Sequence, residues 1–383
     1  MRLSLGKNTH VYVTLIGMAL IFFAQPYKLL RLVSLGTTVI ILATLLAIVV
    51  SFFLKGMRKL TNDTWNEDLL VILLVLSAGS AFVFGGQYSY SQIVPVICLL
   101  ELPILMNSVT NSTRKIRNVV FWLFYLFSVY CIILSGSSFA HQYVGRYGVT
   151  DIEALTLGLP NPNQTAIYLT MVFFVLCVAI VEQRKKITKT LFAINAVVVA
   201  YLLYCTESRT AWVVTILFAF YIFPKVRKKF SRVLMRFAPM VPMLFAVVLI
   251  TYKDVLTSIM FMGDAFETGR VDIFARAFES MDISNLIFGN YKEYASHNLH
   301  NIFISVLVEY GIIATGLFWG FMWRIGNKRV DNNSGSAMLA AVGVALVMVF
   351  SSTEAALYIG GSLYAGFVFV LHYLSLPLEP NEV

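Results

Sequence analysis

Two imidazoles and two amides lie immediately before a long apolar segment. His297, Asn298, His300 and Asn301 directly precede residues 302–323, which contain one charged residue. A hydrocarbon layer about 30 Å thick is crossed by about 20 apolar residues, so this segment is long enough to span it. Imidazole exchanges protons near neutral pH. We therefore expect proton transfer at a membrane surface, with His300 as the base and with His297 and Asn301 contacting the substrate.

Arginines occur at places where a charge is costly or where a ligand can approach closely. Arg209 lies in a tight turn between two apolar segments, where a charge in the bilayer costs about 2.5–3.5 kcal/mol on insertion scales and is usually paired or functional. An ion pair between Glu207 and Arg209 is the structural alternative. Arg146 lies between two glycines, which allow close backbone approach, although it could equally be a solvated surface charge.

Residues 268–281 combine a third candidate arginine with an amphipathic pattern. Arg270 follows a glycine at the start of this segment, and its planar fork of donors suits phosphate oxygens. Arg276 is a further candidate for substrate binding. The alternative is an interfacial helix, with one face formed by Phe274, Phe278 and Met281 and another formed by Asp272, Arg276 and Glu279.

Asn161-Pro162-Asn163 begins another predicted span. Asn163 can cap that helix through its side-chain oxygen, and the prolines fix the approach of the chain. Capping alone explains such a motif, but both asparagines are also candidates for substrate binding.

The elements that position these residues are predicted to be membrane helices. The chain is 58% hydrophobic and 13% charged, which indicates an all-α, polytopic membrane protein forming a single domain over residues 1–383. About twelve spans are predicted: 9–27, 32–54, 68–86, 89–109, 118–136, 164–182, 190–207, 210–223, 237–256, 302–323, 336–352 and 360–378. The last two could instead form one re-entrant unit.

The distribution of basic residues predicts which ends of the spans face outward. With both termini cytoplasmic, 21 of the 29 basic residues lie on the inner side, as the positive-inside rule requires. Two longer loops, residues 137–163 and 257–301, then face outward and carry the candidate site. The net charge of +9 follows from this topology and from anionic membrane lipids, not from nucleic acid.

The chemistry of an outward-facing site restricts its substrate. The sequence contains no P-loop, no sugar-nucleotide motif, no metal-type spacing of its four cysteines and no carboxylate pair typical of a glycosidase. We expect no cofactor and no metal. Energy must therefore arrive with a pre-activated donor such as a lipid-linked diphosphate sugar. Arginines could stabilise the diphosphate leaving group of this donor, and a histidine could accept a proton from the hydroxyl of the acceptor sugar.

These motifs resemble the O-antigen polymerase and ligase family, which includes the Wzy-type polysaccharide polymerases. The most specific match is His300-Asn301 followed by Gly311 and Gly316, supported by residues 207–210 and 268–270. The resemblance implies transfer of glycan from undecaprenyl diphosphate on the outer face of a bacterial cytoplasmic membrane, with His300, Arg209 and Arg270 in catalysis. His297 is a departure, because it offers a second candidate base.

The resemblance leaves the acceptor open. A polymerase would join repeat units of O-antigen or capsule, whereas a ligase would transfer glycan to a lipid A-core or another acceptor. We favour the polymerase, and the resemblance implies a flippase and a chain-length regulator as partners. A transporter or flippase is the alternative from another class; the polar residues lie near one membrane boundary, which argues against it.

Overall fold

The computed structural model describes most of the helices that surround the predicted site. Described are residues 8–24, 65–84, 90–146, 149–159, 161–252, 255, 258, 260–261, 264–265, 270–279, 281–290, 299–328, 335–354 and 362–379. The predicted span 32–54 and His297 lie outside the described residues.

Helices dominate the described chain, and each other predicted span overlaps at least one of them. They are α1 Thr9–Ala24, α2 Trp65–Phe84, α3 Tyr90–Asn107, α4 Arg114–Ser135, α5 Pro162–Glu182, α6 Lys186–Cys205, α7 Arg209–Ile222, α8 Pro224–Phe237, α9 Val241–Thr251, α10 Arg270–Glu279, α11 Ile283–Phe288, α12 Ile302–Lys328, α13 Gly335–Phe350 and α14 Ser362–Ser375. This confirms the helical fold class.

Length and composition identify membrane-crossing candidates among these helices. Five helical stretches are long and apolar enough to cross a membrane, namely Arg114–Ser135, Pro162–Glu182, Lys186–Cys205, Pro224–Thr251 and Ile302–Asn327. The fourth comprises α8, α9 and the short 3-10 helix that joins them. Several helices also expose large apolar side chains, including Ile133 and Val197. Apolar faces of this kind normally face lipid or another protein. The count of twelve spans remains a prediction.

Two helices, α5 and α13, form the centre of the bundle. Nearly every residue between Thr165 and Ala179 is buried, as is nearly every residue of α13. The two helices pack against each other, and both contact α7 and α14. Phe174 of α5 stacks on Phe218 of α7 with ring centroids 3.9 Å apart. A helix that is apolar all round is suited to such a position.

The apolar segment after His300 is not one continuous helix. Helix α12 is interrupted at Gly311, whose φ of 79° and ψ of 175° are not helical. The residues before the break are almost all buried, including Glu309 at 2% exposure. Irregular backbone at membrane depth is tolerated where protein surrounds it. The predicted span 302–323 is therefore broken at Gly311, and among its residues only those after Gly311 expose apolar side chains.

The two ends of the bundle have different chemistry. At one end, which we call the basic end, Arg117 of α4 pairs with Glu182 of α5 and contacts Ser336 at the start of α13. Helix α8 lies here too: the buried Arg227 approaches Gly335, whereas Lys228 and Lys229 are exposed. Helix α13 has 16 residues and so extends about 24 Å, from this end to the predicted site.

The first predicted outer loop contains regular structure. Strands β1 His141–Arg146 and β2 Val149–Leu155 pair antiparallel, with an irregularity between Val144 and Arg146. Part of the predicted loop 137–163 is therefore a β-hairpin. Within the second loop, two short strands pair as well, Met260–Phe261 with Asp264–Ala265.

Candidate active site

A single buried carboxylate joins three of the residues that the sequence predicts to be functional. The Oε1 atom of Glu354 accepts a hydrogen bond of 2.8 Å from Nδ2 of Asn163 and lies 3.6 Å from Nη2 of Arg270. Its other oxygen, Oε2, lies 3.2 Å from Nδ1 of His300. The Glu354 side chain is 6% exposed. We call Asn163, Arg270, His300 and Glu354 the Glu354 cluster.

The turn after α13 holds this carboxylate in place. The carbonyl oxygen of Ser351 accepts from the backbone N–H of Ile302, and that of Ser352 accepts from Asn301. The hydroxyl of Thr353 donates to that of Thr210, on α7, at 3.0 Å. Each residue of the turn 351–354 is therefore fastened to another segment, and Glu354 itself bonds to α5. The side chain has little freedom to leave its partners.

His300 combines an unusual backbone conformation with a partly open ring. Its φ of 52° is in the left-handed region, which non-glycine residues seldom adopt and which clusters at functional sites. The side chain is 25% exposed. Nδ1 of the ring is directed at the carboxylate of Glu354. The sequence prediction of His300 at the site therefore has a matching geometry.

Asn301 has a structural position that the sequence did not indicate. It is fully buried, and its amide group donates to the carbonyl oxygens of Pro242 and Ser352 at 3.0 and 2.9 Å. Its Oδ1 accepts from the backbone N–H of Ile304 at 3.1 Å, which caps α12. Because the amide is occupied and inaccessible, the geometry assigns Asn301 to holding the chain that carries His300. It does not support the expected contact with substrate.

In the motif Asn161-Pro162-Asn163, the helix cap is a different asparagine from the one predicted. Asn161, not Asn163, caps α5, because its side chain accepts from the backbone N–H of Asn163 at 2.8 Å. Pro162 occupies the first helical position, where its missing N–H costs nothing. This frees the amide of Asn163 to bond Glu354.

Arg209 begins α7 beside the cluster. It is the first helical residue, it is partly buried, and Thr210, which bonds the turn of Glu354, follows it directly. The preceding Glu207 has a left-handed φ of 57°. The tight turn predicted from the sequence therefore brings Arg209 to the same end of the bundle as His300.

Arg270 and Arg276 lie on different faces of α10. Val271, Phe274 and Ala277 of this helix belong to a buried apolar cluster with Leu249 of α9 and with Leu299, which precedes α12. Arg270, at the first position of the helix, turns inward and is 15% exposed. Arg276 is exposed, and its Nε donates to the carbonyl oxygen of Asp272 at 3.2 Å. The structural alternative therefore fits Arg276, whose role in substrate binding remains a prediction, and does not account for Arg270.

Arg146 ends β1, where its backbone pairs with Val149. The structure does not describe its side chain, so its role in substrate binding remains a prediction. Among the described residues, no three His, Cys, Asp or Glu side chains lie close enough together to hold a metal ion.

Glu354 is the member of the cluster that the sequence reasoning missed. The signal was the polar run Ser351-Ser352-Thr353-Glu354 between two apolar segments. An ionisable residue at the boundary of a membrane helix is costly and is therefore a candidate for function.

Comparisons of the chain with family models, with curated proteins and with solved structures found no match.

Proposed function

We propose that this protein is a membrane glycosyltransferase that joins lipid-linked oligosaccharide repeat units into O-antigen or capsular polysaccharide. The observation that carries the proposal is the Glu354 cluster, in which side chains from three separate segments converge on one carboxylate. Each of those three side chains is also one that the sequence nominates for this chemistry. The proposed location is the outer face of a bacterial cytoplasmic membrane.

The proposed reaction uses His300 as the base. Its Nε2 accepts the proton of an acceptor sugar hydroxyl, while the acceptor oxygen forms a bond to the anomeric carbon of the donor. The bond from that carbon to the diphosphate oxygen breaks, and the electron pair leaves with undecaprenyl diphosphate. A positioned base of this kind contributes about 10²–10⁴-fold to the rate.

Charge around the cluster suits a diphosphate leaving group. Arg270 lies in the cluster, and Arg209 begins the neighbouring helix α7. The helices α5, α7, α10 and α12 all begin at this end of the bundle, at Pro162, Arg209, Arg270 and Ile302. Helix N-termini carry partial positive charge and favour anions. The two arginines and these helix N-termini together favour the binding of a negatively charged group beside His300.

Reconstitution tests this function directly. The purified protein, incubated with purified undecaprenyl-diphosphate-linked repeat units, should produce a ladder of longer lipid-linked glycans. His300→Ala should leave the repeat units unjoined although the protein is present at wild-type amount. If the wild-type protein instead transfers preformed polymer to a lipid A-core acceptor and makes no ladder, it is a ligase. If it only moves the lipid across vesicle membranes, the enzyme proposal is wrong.

A further inference from the structure

Glu354 has the geometry of a group that acts on the base and not on the sugar. Its side chain is 6% exposed, whereas that of His300 is 25% exposed. One carboxylate oxygen faces Nδ1 of the imidazole at 3.2 Å, and the other is engaged by Asn163 at 2.8 Å. Substrate can therefore approach the ring of His300 more readily than it can approach the carboxylate.

A carboxylate at Nδ1 has a defined effect on an imidazole. When the carboxylate accepts a hydrogen bond from Nδ1–H, the neutral ring carries its lone pair on Nε2. The same carboxylate stabilises the imidazolium that forms once Nε2 has taken a proton. A base that is held in one tautomer and one orientation starts the reaction from its productive state.

The surroundings of Glu354 supply what such a role requires. A buried carboxylate is costly unless it is paired and hydrogen-bonded, and Arg270 and Asn163 meet that need. The turn 351–354 is fastened to α7 through Thr353 and to the chain around His300 through Ser351 and Ser352. The carboxylate and the imidazole are thus fixed relative to each other by backbone as well as by their own contact.

We propose that Glu354 is a positioning residue for His300, holding Nδ1 protonated so that Nε2 carries the lone pair that accepts the proton of the acceptor hydroxyl. This inference rests on the proposed glycosyl transfer. A purely structural role, in which Glu354 only fastens α10 and α5 to the bundle, is the competing explanation. The two explanations differ in what they predict for a neutral residue of the same shape.

Glu354→Gln distinguishes the explanations kinetically. Glutamine keeps the volume and can still accept from Asn163, but it has no charge to orient and stabilise His300. We expect kcat for elongation to fall about 10²-fold or more, since loss of the equivalent carboxylate in a catalytic triad costs about 10⁴-fold, with the KM for the donor lipid little changed. Glu354→Asp should recover part of the lost rate. A structural role predicts reduced protein amount or raised KM instead.

Glu182→Gln is the matched control, because it removes a carboxylate from an arginine pair at the basic end. It should leave kcat unchanged. If Glu354→Gln retains wild-type kcat while the wild-type protein elongates glycans, the positioning role is wrong and the proposed function stands.

The tautomer of His300 provides a test that does not depend on activity. In the full-length protein labelled with ¹⁵N-histidine, the His300 signals are identified by their absence from His300→Gln. We expect the Nδ1–H tautomer in the wild-type protein and loss of that preference in Glu354→Gln but not in Glu182→Gln. An Nε2–H tautomer in the wild-type protein would overturn the inference, whether or not the protein polymerises glycans.

Discussion

Gly289 and Gly311 meet backbone to backbone, and neither could carry a side chain there. A β-carbon on Gly311 would lie 2.1 Å from the carbonyl oxygen of Ile287, and one on Gly289 would lie 2.2 Å from that of Glu309. Both glycines have φ near +80°. The neighbouring N–H of Asn290 donates to the carbonyl oxygen of Val308 at 2.7 Å. The break in α12 is therefore also the place where the second outer segment is attached to the bundle.

Gly311→Ala should be severely damaging, whereas Gly316→Ala should be tolerated. The backbone of Gly311, with φ 79° and ψ 175°, lies in a region that essentially only glycine adopts, which alone costs another residue about 1–3 kcal/mol. The overlap with the backbone of Ile287 forces the two segments apart in addition. A β-carbon on Gly316 meets nothing within 4 Å, and alanine within a helix is favoured over glycine by about 0.5–1 kcal/mol. Thermal unfolding of the two purified variants measures the difference. Equal stability of both would contradict the close approach described above.

Arg209→Lys and Arg270→Lys should each impair elongation nearly as much as the alanine variants. Lysine keeps the charge but loses the planar fork that binds phosphate oxygens in pairs. Loss of one hydrogen bond to a charged group costs about 1.5–3 kcal/mol, so kcat/KM should fall about 10- to 100-fold. The exposed Arg232 of α8, at the basic end, provides the control, and Arg232→Lys should elongate normally. Full activity of Arg209→Lys and Arg270→Lys would favour simple charge or topology anchoring.

His300→Ala should abolish joining of repeat units more completely than His297→Ala. His300 contacts Glu354 and is held between a buried leucine and the cap of α12. Loss of a general base costs about 10²–10⁴-fold, which single-turnover elongation with equal amounts of protein can measure. A dead His297→Ala beside an active His300→Ala would reverse the assignment of the base. If both variants are active, base catalysis by either histidine is wrong.

Cysteine labelling should place the Glu354 cluster outside the cell and α8 inside. In a variant that lacks the four native cysteines, Ser284→Cys should react with an impermeant reagent in intact cells. Lys229→Cys should react only after permeabilisation. Both positions are exposed, so accessibility within the protein is matched. The opposite pattern would reverse the orientation inferred from the basic residues.

The sequence predicted the positions of the helices better than it predicted the break within α12 and the hairpin between α4 and α5. A long apolar run in a membrane forms a helix, and α4, α5 and α6 therefore coincide with predicted spans. The break in α12 was not predictable, because a glycine within a helix pattern is usually tolerated and only its contact with Gly289 requires the unusual φ. The hairpin β1–β2 was missed because its alternation extends over few residues.

The sequence predicted the basic and amide residues of the candidate site, but it did not predict the carboxylate. His300, Arg270 and Asn163 each lie beside a recognisable local motif. Glu354 does not, since its importance arises from contacts with residues 191, 84 and 54 positions away in the chain. Asn301 shows the converse: it lies within the strongest motif, yet its bonds to Pro242 and Ser352 make it part of the scaffold.

The order in which the cluster enters the chain has a consequence for biosynthesis. Glu354 is residue 354 of 383, after Asn163, Arg270 and His300. A ribosome therefore delivers the histidine and the arginine to the membrane well before the carboxylate that orders them. Until the turn 351–354 has been inserted, the earlier helices can enter the membrane and take their orientation while the proposed catalytic centre is still incomplete. In the proposed enzyme, activity therefore begins only after the bundle has assembled.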